Sequence, residues 1–358
     1  MSRFWSPLVH NLTPYIPGEQ PKCKDLIKLN TNESPYGPSP KALEAIRKAT
    51  GETLRLYPDP ESFALREALG QHVGLPAHSV FVGNGSDEVL ALAFQALLAH
   101  GEDVLFPDIT YSFYKVYCTL YAIPYRLVPL DADMTIVVDD YSIDPRSNSC
   151  GGIVIANPNA PTGKVLSIDN IRRLLTLHQN RVVIVDEAYV DFGAQSAVPL
   201  VKEYPNLLVV QTFSKSRALA GLRVGFAFGQ PDLIEGLTRV KNSFNSYPLD
   251  RLAQVGALAS LQDKEWFTNT ISFIVRDRMT LISGLKELGF VILPSEANFI
   301  YVKHPVHDAT KLAVLLRTRS IIVRHLIGPR TSPWLRITIG TEKQCLLLLS
   351  TLREILYS

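Results

Sequence analysis

The sequence around one lysine differs from that expected around an ordinary surface lysine. Lys215 lies between two serines in the segment TFSKSRALAGLRVGF, directly after the apolar run NLLVVQ. That run predicts a short buried strand, so the lysine follows the carboxyl end of a strand, where open α/β sheets bind ligands. A lysine amine held there can attack a carbonyl group. Most lysines are solvated surface charges, so this interpretation depends on what the other strand ends carry.

A carboxylate ends a second apolar strand. Asp186 closes the run VVIVD, and Tyr189 follows three residues later. A buried carboxylate is costly unless a cation or hydrogen-bond donors meet it, and a protonated pyridine nitrogen is one such cation. The alternative is that Asp186 caps the start of a helix, as aspartate often does.

A third strand end carries the string GNGSDE. Gly85, Ser86 and Asp87 lie where a strand pattern changes to a helix pattern, and the N–H groups at a helix start can bind a phosphate. A GxGxxG dinucleotide fingerprint is not present, because Glu88 occupies the place of the third glycine. Simple capping of the helix by Ser86 explains the string equally well.

Together these strand ends suit one cofactor. The loop string NPNAPTGK, which contains Asn157 and Asn159, also follows an apolar strand, and Arg223 follows the lysine segment. A lysine amine, a buried acid and a phosphate site match the carbonyl carbon, the ring nitrogen and the phosphate of pyridoxal 5'-phosphate. We therefore expect this cofactor at the carboxyl ends of the strands.

The composition favours small-molecule partners. The 358 residues carry a formal net charge of +2 and have no basic run interleaved with aromatic residues, so we expect neither nucleic acid nor a membrane as a partner. The N-terminal segment lacks the apolar core of a signal peptide. We expect no metal site and no disulfide framework, because the cysteines are far apart and lack metal-site spacing; they are Cys23, Cys118, Cys150 and Cys345. These features predict a cytoplasmic protein.

The chemistry-bearing segments lie in an α/β pattern. Between about residues 79 and 229, apolar runs alternate with helical patterns, which predicts a mostly parallel sheet wrapped by helices. The C-terminal part mixes helical patterns with short strands, as in a smaller α+β domain. We predict an N-terminal arm with part of the small domain over 1–45, a large cofactor-binding domain over 46–248 and a small C-terminal domain over 249–358.

The order of the motifs resembles that of a known family. From the N-terminus the chain contains LNTNESPYGPSP, YPDPES, GNGSDE, PDITYSFY, NPNAPTG, VDEAYVDF, TFSKSRALAGLRVGF, EANFI and WLRITIGT. In this order and spacing, the strings resemble the fold-type I pyridoxal-phosphate aminotransferases, and within them the histidinol-phosphate aminotransferase family. The resemblance covers nearly the whole chain and implies that family's fold, a large domain with a mostly parallel sheet and a smaller α+β domain.

The resemblance implies a role for each motif residue. Lys215 would form the Schiff base with the cofactor, Asp186 would contact the pyridine nitrogen, and Tyr189 would donate to the phenolic oxygen O3′. The cofactor ring would stack on Tyr111. The cofactor phosphate would be held by the remaining residues of the site, which are Gly85, Ser86, Asp87, Thr212, Ser214 and Arg223.

Further contacts are implied outside the large sheet. Arg336 would clamp a substrate α-carboxylate and Arg324 would meet a distal group such as a phosphate, so the two are expected at opposite ends of the ligands. Asn32 is another expected substrate contact. Tyr57 in YPDP would reach the cofactor and substrate of a neighbouring subunit, which implies a homodimer.

One position departs from the family pattern. The family usually has asparagine directly before PTG, where the amide reaches O3′, whereas this chain has Ala160. Three alternatives follow: Asn157 replaces that contact, Asn159 replaces it, or Tyr189 contacts O3′ with less help.

The implied activity is transfer of an amino group between L-histidinol phosphate and 2-oxoglutarate, giving imidazole acetol phosphate and L-glutamate, in histidine biosynthesis. An aromatic amino-acid aminotransferase and a phosphothreonine decarboxylase share the cofactor motifs and are alternatives. A catalytically idle binding protein with the same fold is the alternative from another class. The complete set of lysine, acid and arginines argues for an enzyme.

Overall fold

The apolar runs of the sequence become the strands of two sheets. The computed structural model describes residues 2–16, 18–20, 26–142 and 150–357. Within these residues the strands are Ile27–Leu29 (β1), Val80–Asn84 (β2), Val104–Pro107 (β3), Tyr125–Val128 (β4), Gly152–Ala156 (β5), Val183–Asp186 (β6), Leu207–Thr212 (β7), Val224–Phe228 (β8), Val291–Ile292 (β9), Phe299–Lys303 (β10), Ile321–His325 (β11) and Leu335–Thr338 (β12).

Helices connect and cover these strands. Several begin with a side-chain cap: Ser39, Ser167, Asp250 and Asp308 each accept a backbone N–H of the first turn. The α-helices of the described residues are Pro7–Asn11 (α1), Pro40–Ala49 (α2), Phe63–Val73 (α3), Gly85–Ala93 (α4), Phe113–Leu120 (α5), Ile168–Leu177 (α6), Pro231–Phe244 (α7), Arg251–Gln262 (α8), Lys264–Glu287 (α9), Ala309–Thr318 (α10) and Glu342–Tyr357 (α11).

The large sheet has seven strands in the order β2-β8-β7-β6-β5-β3-β4. Strand β8 is antiparallel to both β2 and β7, and the other neighbours are parallel. Alternate residues of one strand enter two different apolar clusters: Val209 faces one, while Leu208 and Val210 face the other. Because helices cover both faces, these strands are apolar throughout. The predicted α/β fold class is confirmed.

The small sheet has the order β1-β11-β12-β10-β9 and is antiparallel except for β1 beside β11. Its edge strand β1 comes from the N-terminal part of the chain and the other four come from the C-terminal part. Leucines of helices α9, α10 and α11, among them Leu281, Leu312 and Leu348, pack with its strands in one core. The predicted domain bounds remain a prediction.

Three further findings concern the cysteines, metal-binding groups and membrane-spanning helices. Cys118, Cys150 and Cys345 are free and buried, and Cys23 lies outside the described residues. Within the described ranges, no group of three His, Cys, Asp or Glu side chains could hold a metal ion. None of the helices described here combines the length and the apolar character needed to cross a membrane.

Candidate active site

The carboxyl ends of β5, β6 and β7 and the start of α4 meet around one cavity, which we call the inner cavity. It encloses about 570 Å³ of empty space. Most residues predicted to bind the cofactor line it. The lining consists of Ser86, Asp87, Tyr111, Ala156, Pro158, Ala160, Asp186, Ala188, Tyr189, Thr212, Ser214, Lys215 and Arg223.

The start of helix α4 forms one end of the inner cavity. The helix begins at Gly85, which has φ +82°, so Ser86 lies inside the helix and does not cap it. The N–H groups of the first turn have no partner within the helix. Strand β8 passes so close that a Cβ at Gly225 would collide with the backbone of Gly85 and Ser86. This close approach explains the glycine at 225 and leaves a donor-rich helix start at the cavity.

The Asp87 carboxylate organises two neighbouring side chains. Its Oδ2 is 2.8 Å from Arg223 Nη2, and its Oδ1 accepts the Tyr111 hydroxyl at 2.8 Å. Arg223 itself has φ +53°, which is uncommon for a residue with a side chain. The Asp87 side chain therefore holds the predicted phosphate-binding arginine and the predicted stacking tyrosine, and only its backbone N–H remains for a phosphate.

Hydroxyl groups add to the same end of the cavity. Thr212 Oγ1 accepts the backbone N–H of Ser214 at 3.1 Å and donates to the Ser214 hydroxyl at 3.0 Å. Thr212 Oγ1 also lies 3.3 Å from the Val224 carbonyl, a second acceptor for its single proton. Both residues line the inner cavity, beside Lys215.

Asp186 is a buried carboxylate without a cation in contact. It is 6% exposed, and its donors are the Tyr114 hydroxyl at 2.8 Å and the Ala188 N–H at 3.2 Å. Burial raises the pKa of this carboxyl to about 6, although the Tyr114 hydrogen bond opposes the shift. The structure does not support the helix-capping alternative, because the short 3-10 turn Val190–Phe192 that follows has no side-chain cap.

Lys215 lines the same cavity as the acid. Its Nζ is 5.8 Å from the centre of the Tyr189 ring, and no side chain of the described residues makes a hydrogen bond to it. The Tyr189 ring packs edge-on against Phe299 with centres 5.0 Å apart. A lysine amine held without a partner beside a buried acid is free to act on a ligand.

A second, outer cavity adjoins the first and shares Tyr111, Ala160, Tyr189 and Lys215 with it. It encloses about 930 Å³ of empty space and also contains the predicted residue Asn32. Its other lining residues are Tyr15, Gly18, Gln20, Asn30, Thr31, Thr110, Ser112, Pro161, Arg324, Leu326 and Arg336.

The two predicted arginines lie side by side in the outer cavity. Arg324 on β11 and Arg336 on β12 are register partners, so their side chains leave the same face of the sheet as neighbours. Arg336 Nη2 donates to the Asn30 carbonyl at 2.9 Å, and its buried Nε has no hydrogen-bond partner among the described residues. Burial is the main cause of a lowered pKa of the Arg336 guanidinium, and the charge of Arg324 lowers it further.

This arrangement corrects one expectation. The arginines were expected at opposite ends of the ligands, but their strand register brings them to one place. Two adjacent like charges repel unless an anion lies between them. The pair therefore suits one doubly charged group better than two separate carboxylates.

Four predicted residues do not line either cavity: Gly85, Asn157, Asn159 and Tyr57. The Asn157 amide exchanges hydrogen bonds with the backbone of Leu166, and the Asn159 amide contacts Ile109, Thr110 and Thr162. Neither amide lines the inner cavity in this structure, and which residue replaces the contact missing at Ala160 stays a prediction. Tyr57 is 80% exposed and stacks on Tyr247 with ring centres 4.7 Å apart.

Two residues that contact or line the site were not predicted. Tyr114 donates to Asp186, and its position three residues after Tyr111 in PDITYSFY is the signal that could have revealed it. Tyr15 lines the outer cavity and packs against Phe113, with ring centres 4.6 Å apart. It lies in a segment without periodicity, which offers no comparable signal.

Comparisons with known proteins agree with this geometry. Residues 24–352 match the family model for aminotransferase class I and II. The chain is 67% identical over 358 residues to histidinol-phosphate aminotransferase of Acetobacter pasteurianus, covering 100% of this chain and 99% of that protein. It is 60% identical over 356 residues to the enzyme of the same name from Gluconacetobacter diazotrophicus, covering 99% of each.

Solved structures share the fold. The crystal structure of histidinol-phosphate aminotransferase from Sinorhizobium meliloti in complex with pyridoxal-5'-phosphate superposes with a TM-score of 0.89 at 24% identity, covering 100% of this chain and 98% of that one. The chain therefore belongs to the class I and II aminotransferases and, within them, to the histidinol-phosphate aminotransferase family.

Proposed function

We propose that this chain is a pyridoxal-phosphate-dependent transaminase that moves an amino group between L-histidinol phosphate and 2-oxoglutarate, in histidine biosynthesis. The observation that carries the substrate assignment is the pairing of Arg324 with Arg336 in the cavity that also contains Lys215. Histidinol phosphate presents one doubly charged phosphate and no carboxylate. A bidentate guanidinium pair matches such a group.

The residues of the inner cavity suit the cofactor. The α4 start, Ser214 and Arg223 offer phosphate donors at one end. At the other end, burial raises the pKa of the Asp186 carboxyl, and a pyridinium beside it would stabilise the ionised form. Lys215 is the amine to which the cofactor would be attached. Tyr111, fixed by Asp87, provides an aromatic face.

Each residue of the site has a separate role in the proposed reaction. When bound, pyridoxal phosphate supplies an electrophilic carbon for the substrate amine and a ring that withdraws electrons from the substrate α-carbon. Asp186 holds a proton at the ring nitrogen. Lys215 Nζ, released when the substrate amine takes its place on the cofactor, would accept the proton from the substrate α-carbon and pass it to the cofactor carbon that received the substrate amine, first as general base and then as general acid. Arg324 and Arg336 bind the substrate phosphate and so fix the α-carbon near Lys215.

A half-reaction tests the proposal. Cofactor-loaded enzyme mixed with histidinol phosphate alone is expected to convert its absorption spectrum to that of the aminated cofactor, and 2-oxoglutarate is expected to reverse the change. Conversion by phenylalanine but not by histidinol phosphate would instead identify an aromatic aminotransferase. Release of carbon dioxide from phosphothreonine would identify the decarboxylase, and no conversion by any of these would favour an idle binding protein.

The change Asp186→Asn tests the proton at the ring nitrogen. An amide cannot hold that proton as a carboxylate does, and losing one partner of a desolvated charge pair costs roughly 2–5 kcal/mol, so we expect kcat to fall about 30- to 3,000-fold with the cofactor saturating. Glu187→Gln is the matched control, since Glu187 is equally buried but contacts Ser196, Ala197 and Gln211. Normal turnover of Asp186→Asn would show that another group holds the proton.

We also propose a homodimer in which Tyr57 completes the partner's site. Tyr57 is exposed within one chain, as are Tyr247, on which it stacks, and its sequence neighbours Leu54, Leu56 and Phe63. Exposed apolar groups of this kind are typical of protein interfaces. The proposed partners are small-molecule substrates and a second copy, with no nucleic acid or membrane. The proposed location is the cytoplasm, which the spacing of the cysteines favours.

Mixed dimers test the shared site. Tyr57→Ala is expected to lower activity about tenfold or more, as for a lost hydrogen bond to a charged group, about 1.5–3 kcal/mol. Mixing Tyr57→Ala with Lys215→Ala subunits would place both changes in one site and leave the other site intact. Activity above that of either parent is therefore expected on mixing. No recovery in verified heterodimers would contradict sharing.

A further inference from the structure

The contact that the family makes before PTG is missing from this chain, and the structure shows no direct replacement. Ala160 lines both cavities and packs against Tyr189 and Phe299. The Asn157 and Asn159 amides donate to the backbone carbonyls of Leu166 and Ile109. Another amide nevertheless approaches from outside the large sheet: Asn32 Nδ2 is 3.0 Å from the Tyr189 hydroxyl oxygen.

The surroundings of Asn32 determine which way its amide points. The backbone N–H of Asn32 donates to Thr338 Oγ1 at 3.0 Å, and among the described residues the Thr338 hydroxyl has one hydrogen-bond acceptor for its own proton. That acceptor is Asn32 Oδ1, at 3.1 Å. The Asn32 carbonyl accepts the Asn298 amide at 3.0 Å. With Oδ1 directed at Thr338, the Nδ2 group must be the one that faces Tyr189.

The direction of the hydrogen bond from Asn32 to Tyr189 determines where the Tyr189 hydroxyl can direct its own proton. Because the Tyr189 hydroxyl accepts from Asn32, its own proton remains for an acceptor in the cavity. A hydroxyl that accepts one hydrogen bond is also a stronger donor in the next. Asn32 is 1% exposed and has φ +56°, a conformation that asparagine tolerates better than most residues. Its hydrogen bonds to Thr338 and Asn298 therefore hold it in the conformation in which its amide reaches Tyr189.

We propose that Asn32 supplies, through Tyr189, the amide donor that Ala160 lacks. Asn32 is then a positioning residue: it orients the Tyr189 hydroxyl so that the hydroxyl donates to the phenolic oxygen of the bound cofactor. This role rests on the proposed function, in which Tyr189 contacts that oxygen. It differs from the direct substrate contact expected for Asn32, because it acts before any substrate binds.

The test is the visible spectrum of the cofactor-loaded, substrate-free enzyme as a function of pH. A donor to the phenolic oxygen draws negative charge from it and makes the neighbouring proton easier to lose. Removing the donor chain is thus expected to raise the pH at which the spectrum changes. Asn32→Gly removes the amide without straining the positive φ, and we expect an upward shift of about half to one pH unit, as for one hydrogen bond.

Two further variants make the test specific. In a Tyr189→Phe background, Asn32→Gly is expected to cause no additional shift, because the contact that it acts through is gone. Adding Ala160→Asn to Asn32→Gly restores the family's amide and is expected to return the spectral transition towards its original pH. Asn30→Gly is the matched control, since Asn30 lines the same cavity but donates to the Glu19 carbonyl; it should leave the transition unmoved.

The outcomes separate this inference from the proposed function. An unchanged transition in folded, cofactor-loaded Asn32→Gly, or an equal shift in the Tyr189→Phe background, would overturn the role of Asn32. Failure of Ala160→Asn to reverse the shift would overturn the claim that the two amides are equivalent. If the unchanged enzyme bound no cofactor at Lys215, the proposed function itself would fail. A change confined to KM, with no spectral shift, would return Asn32 to a direct substrate contact.

Discussion

Lys215→Ala is expected to abolish transamination and to prevent covalent attachment of the cofactor. The structure places Lys215 Nζ at the junction of both cavities, without a hydrogen-bond partner among the described residues. General acid–base transfer by a positioned group contributes roughly 10²–10⁴-fold, and loss of the nucleophilic amine adds to that. We expect kcat to fall by at least about four orders of magnitude, measured with histidinol phosphate and 2-oxoglutarate.

Chemical trapping provides the independent measurement. Borohydride reduction of the cofactor-loaded enzyme followed by peptide mapping is expected to find the label on Lys215, and none in Lys215→Ala. Lys115→Ala is the matched control, because Lys115 lines a neighbouring cavity at the start of α5; its protein should label normally. A label on another lysine of the unchanged enzyme would remove Lys215 from its role.

The sequence predicts the fold well where burial controls residue type. Strands β2, β3, β5, β6, β7 and β8 are apolar runs because helices cover both faces of the sheet. Strand β4 was missed because it is a short edge strand with Tyr125 and Arg126 exposed. Strand β1 was missed because its three residues become a strand only by pairing with β11, a partner almost three hundred residues away.

The site was predictable where local sequence determines position. Asp186 and Lys215 follow directly from strand ends, which parallel topology brings to one edge of the sheet. The convergence of the arginines was not predictable, because it depends on the register of β11 against β12. The Asn32 contact likewise joins a residue beside the small sheet to one that follows β6. Such contacts depend on how the two sheets face each other, which motif order does not encode.

The paired arginines bear on how this site would distinguish between substrates. Arg324 and Arg336 are register partners in the outer cavity, so under the proposed function the substrate phosphate and the distal carboxylate of 2-oxoglutarate would bind to the same pair in turn. The phosphate can satisfy both guanidinium groups at once, whereas the single carboxylate of phenylalanine lies at the amino end of that molecule. The pair therefore selects by distance between amine and anion as well as by charge.

Arg324→Ala and Arg336→Ala are accordingly expected to have similar effects. Truncating one partner of a desolvated charge pair costs roughly 2–5 kcal/mol, so each change should lower kcat/KM for histidinol phosphate about 30- to 3,000-fold and should spare cofactor binding. Turnover of histidinol, which lacks the phosphate, should be slow and nearly unaffected. Arg330→Ala is the matched control, because Arg330 pairs with Asp108 and the Leu130 carbonyl. Loss of activity in only one arginine variant, or equal losses for histidinol and its phosphate, would contradict a shared phosphate site.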